Sequence, residues 1–488
     1  MINKGPHGRT VSFATKNPHS SASFDSKYQV EFLLIHLFSD RTSSPPMSNN
    51  PIITLNIGGT LFHTTQRTLS ATGPTSPLAS LPLPSPSSPP PFFDRDPDLF
   101  SHLLSFLRSG FPPPSSLLPS LLAEAEFFSF PPPLLLKLSL PLHFNPFSLS
   151  PSLSLPLNGR EHISSVSISP SSSVLSVARG CKVTTFTPSL LHKSTVLTPL
   201  PFIDTVLPLS PSLAAAGAKD FPGLHLVNLL ETSPAKVLHW SPHPSQENSS
   251  TVLAIGYSPN LLFSSFESCR RNSSAILAFD LEKFEPVLEI GRKEIFAAEI
   301  DTAIPSTKLS WINNLGLLMA AGSHAGPAGF SGYVKFFDTR SNRLAYEIQE
   351  KNSDCFADVA VSDSLLSVFK IGVSSGDVYM ADLRKIQSFD NWVFIGEGGR
   401  RSGDMKRKEG LGCKIECYEK NVFVSREGEV EMWSEAAMAE GEERVMKRNF
   451  MGRWKEGEEK KKITHLAFGG NRMILARKGE MCLEVWQS

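Results

Sequence analysis

Alternating apolar and polar residues over 52–64 predict a two-stranded hairpin. Successive side chains of a strand point to opposite faces. One face of the first strand carries Ile53, Leu55 and Ile57. Gly58 and Gly59 follow, and two adjacent glycines favour the tight turn of a hairpin. The alternative is a phosphate-binding loop, but the Lys-Ser or Lys-Thr pair of such a loop does not follow. The pattern therefore predicts a structural turn at Gly58 and Gly59.

Helical spacing of apolar residues replaces this alternation over 96–110. Asp96 can cap the helix by accepting a backbone N–H, and Pro97 suits the first helical position, where no N–H is needed. The apolar residues at helical spacing are Leu99, Phe100, Leu103, Leu104, Phe106 and Leu107. Gly110 provides a left-handed stop. The segment is predicted to be a core helix with two wide apolar faces.

A second long helix is predicted over 117–128, since its apolar residues share one side. They are Leu118, Leu121, Leu122, Ala125 and Phe128. Shorter helices are predicted over 65–69 and 134–138. The Pro/Ser tract over 80–91 cannot form a central strand, because proline has no backbone N–H to donate. We expect this tract to be a surface loop.

Three blocks of this region resemble the potassium-channel tetramerisation type of BTB/POZ domain. They are residues 52–62, residues 92–110 with the sequence FFDRDPDLFSHLLSFLRSG, and residues 121–128 with the motif EAEFF. The blocks stand in the order and at a spacing compatible with that family. The resemblance covers about residues 51–140 and implies an α/β domain that self-associates. The Pro/Ser tract departs from the family pattern.

The remainder of the chain, from about residue 162, consists of short apolar or alternating runs separated by Gly, Ser, Asn and Asp. Similar segments recur about every 40–60 residues, as propeller blades do. The segments are 182–186, 224–229, 275–281, 332–338, 376–383, 428–433 and 482–486. Each resembles the third strand of a WD-type repeat, although no Gly-His or Trp-Asp dipeptide is present.

Seven such segments predict a seven-bladed propeller of the WD-repeat or YVTN-like kind, because a closed ring removes exposed sheet edges. A stretch before Arg179 is expected to pair with the C-terminal strand and fasten the ring. A pair of β-sandwiches is the structural alternative. Two charged intervals, 400–409 and 436–462, are interpreted as insertions between blades.

The predicted fold class is thus multidomain, with an N-terminal α/β BTB/POZ domain followed by an all-β propeller. We expect a disordered N-terminal extension at 1–50, the BTB/POZ domain at 51–142, a Ser/Pro-rich linker at 143–160 and the propeller at 161–488. Met47 shortly precedes the first strand, so translation could begin at Met1 or at Met47.

Composition excludes several classes of function. The 488 residues include 47 Lys and Arg and 47 Asp and Glu, so we expect no bulk attraction to nucleic acid or to an anionic membrane. No run approaches the roughly 20 apolar residues of a membrane helix. We expect a soluble cytoplasmic protein with no membrane span and no nucleic-acid partner. The basic triplets at 406–408 and 460–462 could add nuclear import, although interleaved acidic residues favour solvated loops.

The candidate catalytic and metal motifs lack the context that their chemistry requires. Cys413 and Cys417 are close enough to form a metal pair, but no second pair or histidine cluster accompanies them, which favours free thiols in a reduced compartment. The Gly-x-Ser-x-Gly pattern at 372–376 precedes a predicted strand, whereas a hydrolase nucleophile elbow leads into a helix. Asp94 and Asp96 stand at a helix start, where capping and the helix dipole explain them. We expect no catalytic, cofactor or metal site, and no enzyme.

The family resemblance implies a function in protein interaction. Similar proteins are substrate adaptors of cullin-3 ubiquitin ligases, in which the BTB/POZ domain self-associates and docks the cullin while the second domain binds the substrate. The expected interaction surface consists of Phe92, Phe93, Asp94, Arg95, Asp96 and Pro97, although these residues could equally serve as core and caps. The alternative is an oligomeric scaffold or trafficking regulator that binds no cullin. In that case the proline-rich segments at 81–91 and 112–114 could recruit polyproline-binding modules.

Overall fold

The computed structural model describes most of the chain beyond residue 50. The described residues are 51–82, 89–109, 117–131, 134–135, 138, 144–169, 174–190, 192–230, 234–242, 249–294, 304–326, 329–350, 354–385, 392–396, 410–426, 428–436, 445–451 and 461–488. The expected extension at 1–50, including both candidate start residues, lies outside them. So do the stop at Gly110, the prolines at 112–114, residues 83–88 of the Pro/Ser tract and the charged interval 400–409.

The N-terminal domain is built on a three-stranded sheet. Its elements are β1 (Ile52–Ile57), β2 (Thr60–Thr65), α1 (Gln66–Ser70), β3 (Phe92–Phe93), α2 (Pro97–Ser109) and α3 (Leu118–Phe127). Strand β1 lies in the middle, antiparallel to β2 and parallel to β3. Gly58 and Gly59 have φ of +56° and +93°, as the two central residues of a type I′ turn require. The predicted turn is confirmed.

Helix α2 begins as its sequence predicts. Asp96 Oδ1 accepts hydrogen bonds from the backbone N–H groups of Asp98 at 2.8 Å and Leu99 at 3.3 Å, and Pro97 is the first helical residue. Both long helices bury their predicted apolar residues against β1, except that Leu99 is only half-buried. The principal core residues are Ile53, Leu55, Ile57, Phe100, Leu103, Leu104, Phe106, Leu107, Leu118, Leu121, Leu122, Ala125 and Phe128.

The rest of the described chain forms seven four-stranded antiparallel sheets. A short 3₁₀ helix (Pro146–Ser148) leads into β4 (Ser150–Pro156), which belongs to the last of these sheets. We number the sheets as blades 1 to 7 along the chain, starting with the sheet that begins at β5 and ending with the sheet that contains both β31 and β4. The strands are β5 (Ile163–Ile168), β6 (Leu175–Arg179), β7 (Lys182–Phe186) and β8 (Lys193–Leu197) in blade 1; β9 (Thr205–Ser210), β10 (Leu213–Gly217), β11 (Leu224–Asn228) and β12 (Pro234–Leu238) in blade 2; β13 (Thr251–Tyr257), β14 (Leu261–Glu267), β15 (Ser273–Asp280) and β16 (Pro286–Glu294) in blade 3; β17 (Lys308–Ile312), β18 (Leu317–Gly326), β19 (Gly329–Asp338) and β20 (Arg343–Glu350) in blade 4; β21 (Phe356–Ser362), β22 (Ser367–Gly372), β23 (Val378–Asp382) and β24 (Val393–Phe394) in blade 5; β25 (Lys414–Tyr418), β26 (Asn421–Arg426), β27 (Glu429–Glu435) and β28 (Met446–Phe450) in blade 6; and β29 (Ile463–Gly469), β30 (Arg472–Arg477) and β31 (Cys482–Gln487) in blade 7, which β4 completes.

The blades close into a ring. The first strand of each blade contacts the first strand of the next, and β29 of blade 7 contacts β5 of blade 1. The hydrophobic clusters lie between neighbouring blades. For example, Phe263 of blade 3 stacks on Trp311 of blade 4 with ring centroids 5.8 Å apart. These contacts identify a seven-bladed propeller rather than a pair of sandwiches.

The ring is fastened by two strands that lie far apart in the sequence. Strand β4 pairs antiparallel with β31, from Ser150 opposite Gln487 to Pro156 opposite Cys482. This closure by a stretch before Arg179 is confirmed. The same observation corrects the expected linker at 143–160, because residues 150–156 are an outer strand of the propeller.

The seven segments predicted as third strands all contribute the third strand of a blade: β7, β11, β15, β19, β23, β27 and β31. The interpretation of 436–462 as an insertion is wrong for Met446–Phe450. These residues are β28, which pairs with β27 as the outer strand of blade 6.

Candidate interaction surface

The predicted interaction residues lie where β3 turns into α2. Strand β3 is at the edge of its sheet, and the Phe92 side chain is 60% exposed. Phe93 is half-buried, with its ring edge-to-face against Phe128 at a centroid distance of 5.5 Å. Asp94 and Asp96 are exposed. The turn thus presents one aromatic ring and two carboxylates, while its second aromatic ring serves the core.

Arg95 has a different role from its neighbours. Its Nε donates a hydrogen bond to Glu124 Oε2 at 2.9 Å, and its Nη2 pairs with Oε1 of the same carboxylate. Its guanidinium also lies over the ring of Phe127, 4.3 Å from the centroid. The hydrogen bond with Glu124, opposed by burial, raises the pKa of Arg95. Because Glu124 is buried in α3, this pair holds the turn against the helix, and Arg95 positions the surface.

The face of the sheet that carries Phe92 adds a further exposed residue, Leu61, to the predicted interaction surface. The sequence analysis did not include it. Asn56 of β1 lies opposite Leu61 in β2 and opposite Phe92 in β3, so the three side chains share one face. Leu61 is 54% exposed. The alternation over 52–64 already places Leu61 on the face opposite the buried residues. An apolar residue on that face was the sequence feature that could have indicated an exposed contact.

Comparison with known proteins identifies this domain and the chain as a whole. The family model of the BTB/POZ domain matches residues 53–137. A BTB/POZ domain-containing protein of Arabidopsis thaliana is 44% identical over 450 residues, which cover 90% of this chain and 96% of the relative. The chain belongs to the BTB/POZ domain-containing proteins.

Two solved structures are similar to the BTB/POZ protein described here. The first is the β-propeller domain of Cps50 (Swd1) from Myceliophteria thermophila, with a TM-score of 0.39, 16% identity, and coverage of 54% of this chain and 80% of that one. The second is U3-55K, with a TM-score of 0.47, 12% identity, and coverage of 70% and 100%.

The BTB domain contacts the propeller through Glu126 in α3. The Glu126 carboxylate accepts hydrogen bonds from the backbone N–H of Ser189 at 3.0 Å and from its hydroxyl at 2.8 Å. Ser189 lies in the hairpin between β7 and β8.

Arg472 in β30 is close enough to Glu126 to be affected by its charge. Burial lowers the pKa of Arg472 to about 10, and the negative charge of Glu126 offsets part of this effect. Arg472 also donates to the carbonyl of Pro188, so the same hairpin is held from two sides.

The segment that leaves the BTB domain is also anchored in the propeller. Phe144 is buried, and its ring contacts Tyr418, Phe423 and Phe468 at centroid distances of 4.8, 5.9 and 6.0 Å. These partners belong to blades 6 and 7. Strand β4 then follows within a few residues. Apolar packing, paired hydrogen bonds and a strand ladder therefore connect the two parts of the chain.

The motifs that could have indicated chemistry have structural roles. The Gly-x-Ser-x-Gly pattern forms the hairpin between β22 and β23, where Asp354 accepts hydrogen bonds from the backbone N–H groups of Ser374 and Ser375. Cys413 and Cys417 pack in the cluster between blades 5 and 6. Over the described ranges, no three His, Cys, Asp or Glu side chains are arranged to hold a metal ion.

Two further expectations concern the membrane and nuclear import. Within the part of the chain that the structure describes, no helix is both long enough and apolar enough to span a bilayer. Of the basic triplets, 406–408 and Lys460 lie outside the described residues. Lys461 forms an ion pair with Glu480, and Lys462 donates to the carbonyl of Leu411 at 2.6 Å. Nuclear import stays a prediction.

Proposed function

We propose that this protein is a non-catalytic substrate-recognition adaptor of a cullin-3 ubiquitin ligase. The BTB domain self-associates and docks the cullin through the surface around Phe92, and the propeller binds the substrate. The adaptor acts by proximity, because a substrate held beside the ligase experiences a raised effective concentration. We place the protein in the cytoplasm, with the nucleus as a second compartment.

The connection between the two parts of the chain carries this proposal. Glu126 binds the β7–β8 hairpin, Phe144 is buried between blades 6 and 7, and β4 is a strand of the ring. An adaptor with such a connection presents its substrate at a fixed distance from the ligase. A flexible linker would spread the same substrate over a larger volume and lower its effective concentration.

The exposed turn supports the docking role. Aromatic residues are enriched at the centres of protein interfaces, where a few side chains supply most of the binding free energy. Phe92 is 60% exposed at the edge of its sheet, beside the carboxylates of Asp94 and Asp96. The fixed Arg95–Glu124 pair preorganises this turn, so little conformational entropy is lost when a partner binds.

The test is binding of the purified full chain to purified cullin-3, measured by biolayer interferometry, together with mass photometry of the chain alone. We expect micromolar or tighter binding and a self-associated chain. Phe92→Ala should weaken cullin binding about tenfold or more, as loss of an interface anchor does. Phe202→Ala is the matched control, because Phe202 is also an exposed phenylalanine, at 47%, but lies in the propeller region.

The remaining outcomes separate the alternatives. A self-associated chain that does not bind the cullin would refute the ligase role and leave the oligomeric scaffold or trafficking regulator. A monomer that binds no cullin would refute both. Equal weakening by Phe92→Ala and Phe202→Ala would remove the docking role from the β3 turn.

A further inference from the structure

Blade 1 contains a cavity that the adaptor function does not use. Its volume is about 270 Å³, and it is lined by Leu157, Asn158, Arg179, Lys182, Thr184, Lys193 and Thr195. On this measure one water needs about 10–15 Å³, so the cavity has room for a tetrahedral anion and several waters. It lies beside the residues that follow β4, at the junction of blades 1 and 7.

Arg179 supplies the unusual feature of this cavity. The residue is 2% exposed, and its Nε and Nη1 atoms are buried without a hydrogen-bond partner among the described residues. Burial of these two atoms without such partners is costly, since their N–H groups have lost hydrogen bonds to water that no group of the described residues replaces. Burial lowers the pKa of Arg179, and the negative charge of Glu161 only partly offsets this effect.

The surrounding charges are complementary to a dianion. Lys182 and Lys193 line the cavity together with Arg179. Glu161 lies 3.2 Å from Lys182 Nζ and cancels one of these three positive charges. Two positive charges remain, which matches a phosphate monoester, since it carries a charge of about −1.5 to −2 near neutral pH.

Neutral donors complete the site. Thr184 and Thr195 lie opposite each other in β7 and β8, and their hydroxyl oxygens are 3.1 Å apart. One hydroxyl donates to the other in this pair, so the accepting hydroxyl keeps its own proton to donate elsewhere. Lys193 Nζ donates to the carbonyl of Pro156 at 3.3 Å and has two further N–H groups.

We propose that this cavity binds a phosphate monoester. The Arg179 guanidinium donates to two phosphate oxygens, as this group does with phosphates elsewhere. Lys182 and Lys193 neutralise the second charge, and the free hydroxyl proton of the threonine pair is donated to a third oxygen. The monoester is either a small molecule or a phosphorylated side chain of a protein segment. This site belongs to the propeller and stands independently of cullin binding.

The test is a calorimetric titration of the full chain with phenyl phosphate, with a phosphoserine peptide of otherwise uncharged residues, and with phenyl sulfate as a singly charged analogue of similar shape. We expect phenyl phosphate to bind more tightly than phenyl sulfate. Binding should weaken with rising salt, because charge neutralisation drives it. Equal affinity for phenyl phosphate and the phosphopeptide identifies a small-molecule site, and tighter peptide binding identifies a phosphorylated protein segment.

The variants locate the site. Arg179→Met should reduce phenyl phosphate affinity about tenfold or more, whereas Arg179→Lys should retain part of it because the charge remains. Lys182→Met should weaken binding severalfold and keeps the test valid if Arg179→Met does not fold. Lys219→Met is the matched control, since Lys219 is an exposed lysine outside the cavity. No binding of phenyl phosphate by the wild type, or equal binding by wild type and both Met variants of the cavity, would overturn the proposal.

Discussion

The Glu126 carboxylate of the BTB domain accepts two hydrogen bonds from Ser189 of the propeller, one from its backbone N–H and one from its hydroxyl. Since a carboxylate that accepts two donors is held in both position and orientation, this contact fixes helix α3 against the hairpin between β7 and β8. Removing the carboxylate takes this acceptor away from the buried N–H and hydroxyl of Ser189.

We therefore expect Glu126→Ala to loosen the BTB domain from blade 1. Loss of the charge-assisted hydrogen bonds should cost about 1–3 kcal/mol. Hydrogen–deuterium exchange should increase in the hairpin that contains Ser189. Glu282→Ala is the control, because Glu282 is an exposed glutamate of blade 3. Unchanged exchange in the hairpin of Glu126→Ala would contradict the role given to this contact.

The pair of Arg95 and Glu124 should stabilise the BTB domain. Arg95→Leu leaves the buried Glu124 carboxylate without its guanidinium, so we expect a loss of about 2 kcal/mol in the free energy of unfolding. Arg95→Lys should lose less, because a lysine keeps the charge but cannot form the two-pronged contact. Urea unfolding of the full chain, monitored within the BTB domain by exchange of α2 and α3, gives the measurement. Equal stability of wild type and Arg95→Leu would show that the pair is dispensable.

His465 should make the propeller less stable in acid. Burial, aided by the nearby charge of Lys414, lowers the pKa of His465 from 6.5 to about 4, and its Nε2 donates to the carbonyl of Ser164 at 2.9 Å. Between these pKa values the unfolded chain binds a proton that the folded chain does not bind. Stability is therefore fully present above pH 6.5 and is lost as the pH falls toward 4.

The lowering of the pKa sets the size of this effect, because a change of one pKa unit corresponds to about 1.36 kcal/mol. The free energy of unfolding should therefore fall by at most about 3 kcal/mol between pH 6.5 and pH 4. Melting temperatures of wild type and His465→Gln should be compared from pH 7.5 to pH 4. The difference between the two proteins should shrink as the pH falls, since glutamine cannot be protonated. A constant difference over this range would show that His465 does not titrate as described.

The closing strand should contribute strongly to the stability of the ring. Leu155 of β4 is 4% exposed and packs between blades 7 and 1. Leu155→Ala should cost about 2–4 kcal/mol, through lost burial and a new cavity. Leu153→Ala, a change of the same chemistry in the same strand at a residue that is 43% exposed, should cost much less. Thermal unfolding checks both, and similar losses would indicate that β4 is not packed as described.

The features that sequence analysis predicted correctly are determined by neighbouring residues. The turn at Gly58 and Gly59 depends on two positive φ angles, and the start of α2 depends on Asp96 and Pro97. The third strand of every blade was visible because each is a short apolar run bounded by turn residues. In each of these features, the residues that carry the signal are close together in the sequence.

The features that were missed depend on distant partners. Strand β4 contains Pro151 and Pro156 and has mostly exposed side chains, so its sequence favours a linker. Only its pairing with β31 makes it a strand, and prolines are tolerated there because β4 is the outer strand of its blade. Arg95 looked available for a partner, since no local pattern reveals its pairing with Glu124. No local pattern reveals either that Arg179 is buried with two of its nitrogen atoms lacking a hydrogen-bond partner within the described part of the chain.

The pairing of β4 with β31 also determines when a newly made chain can become a complete ring. Strand β4 leaves the ribosome soon after the BTB domain, while β31 is made after all the other blades. Each new chain therefore passes through a stage in which blade 7 has an open edge, which can pair with strands of other chains. A premature stop codon between Phe450 and Cys482 would make that stage permanent. We expect such shortened proteins to depend on chaperones and to be degraded, even though the BTB domain and six blades are encoded in full.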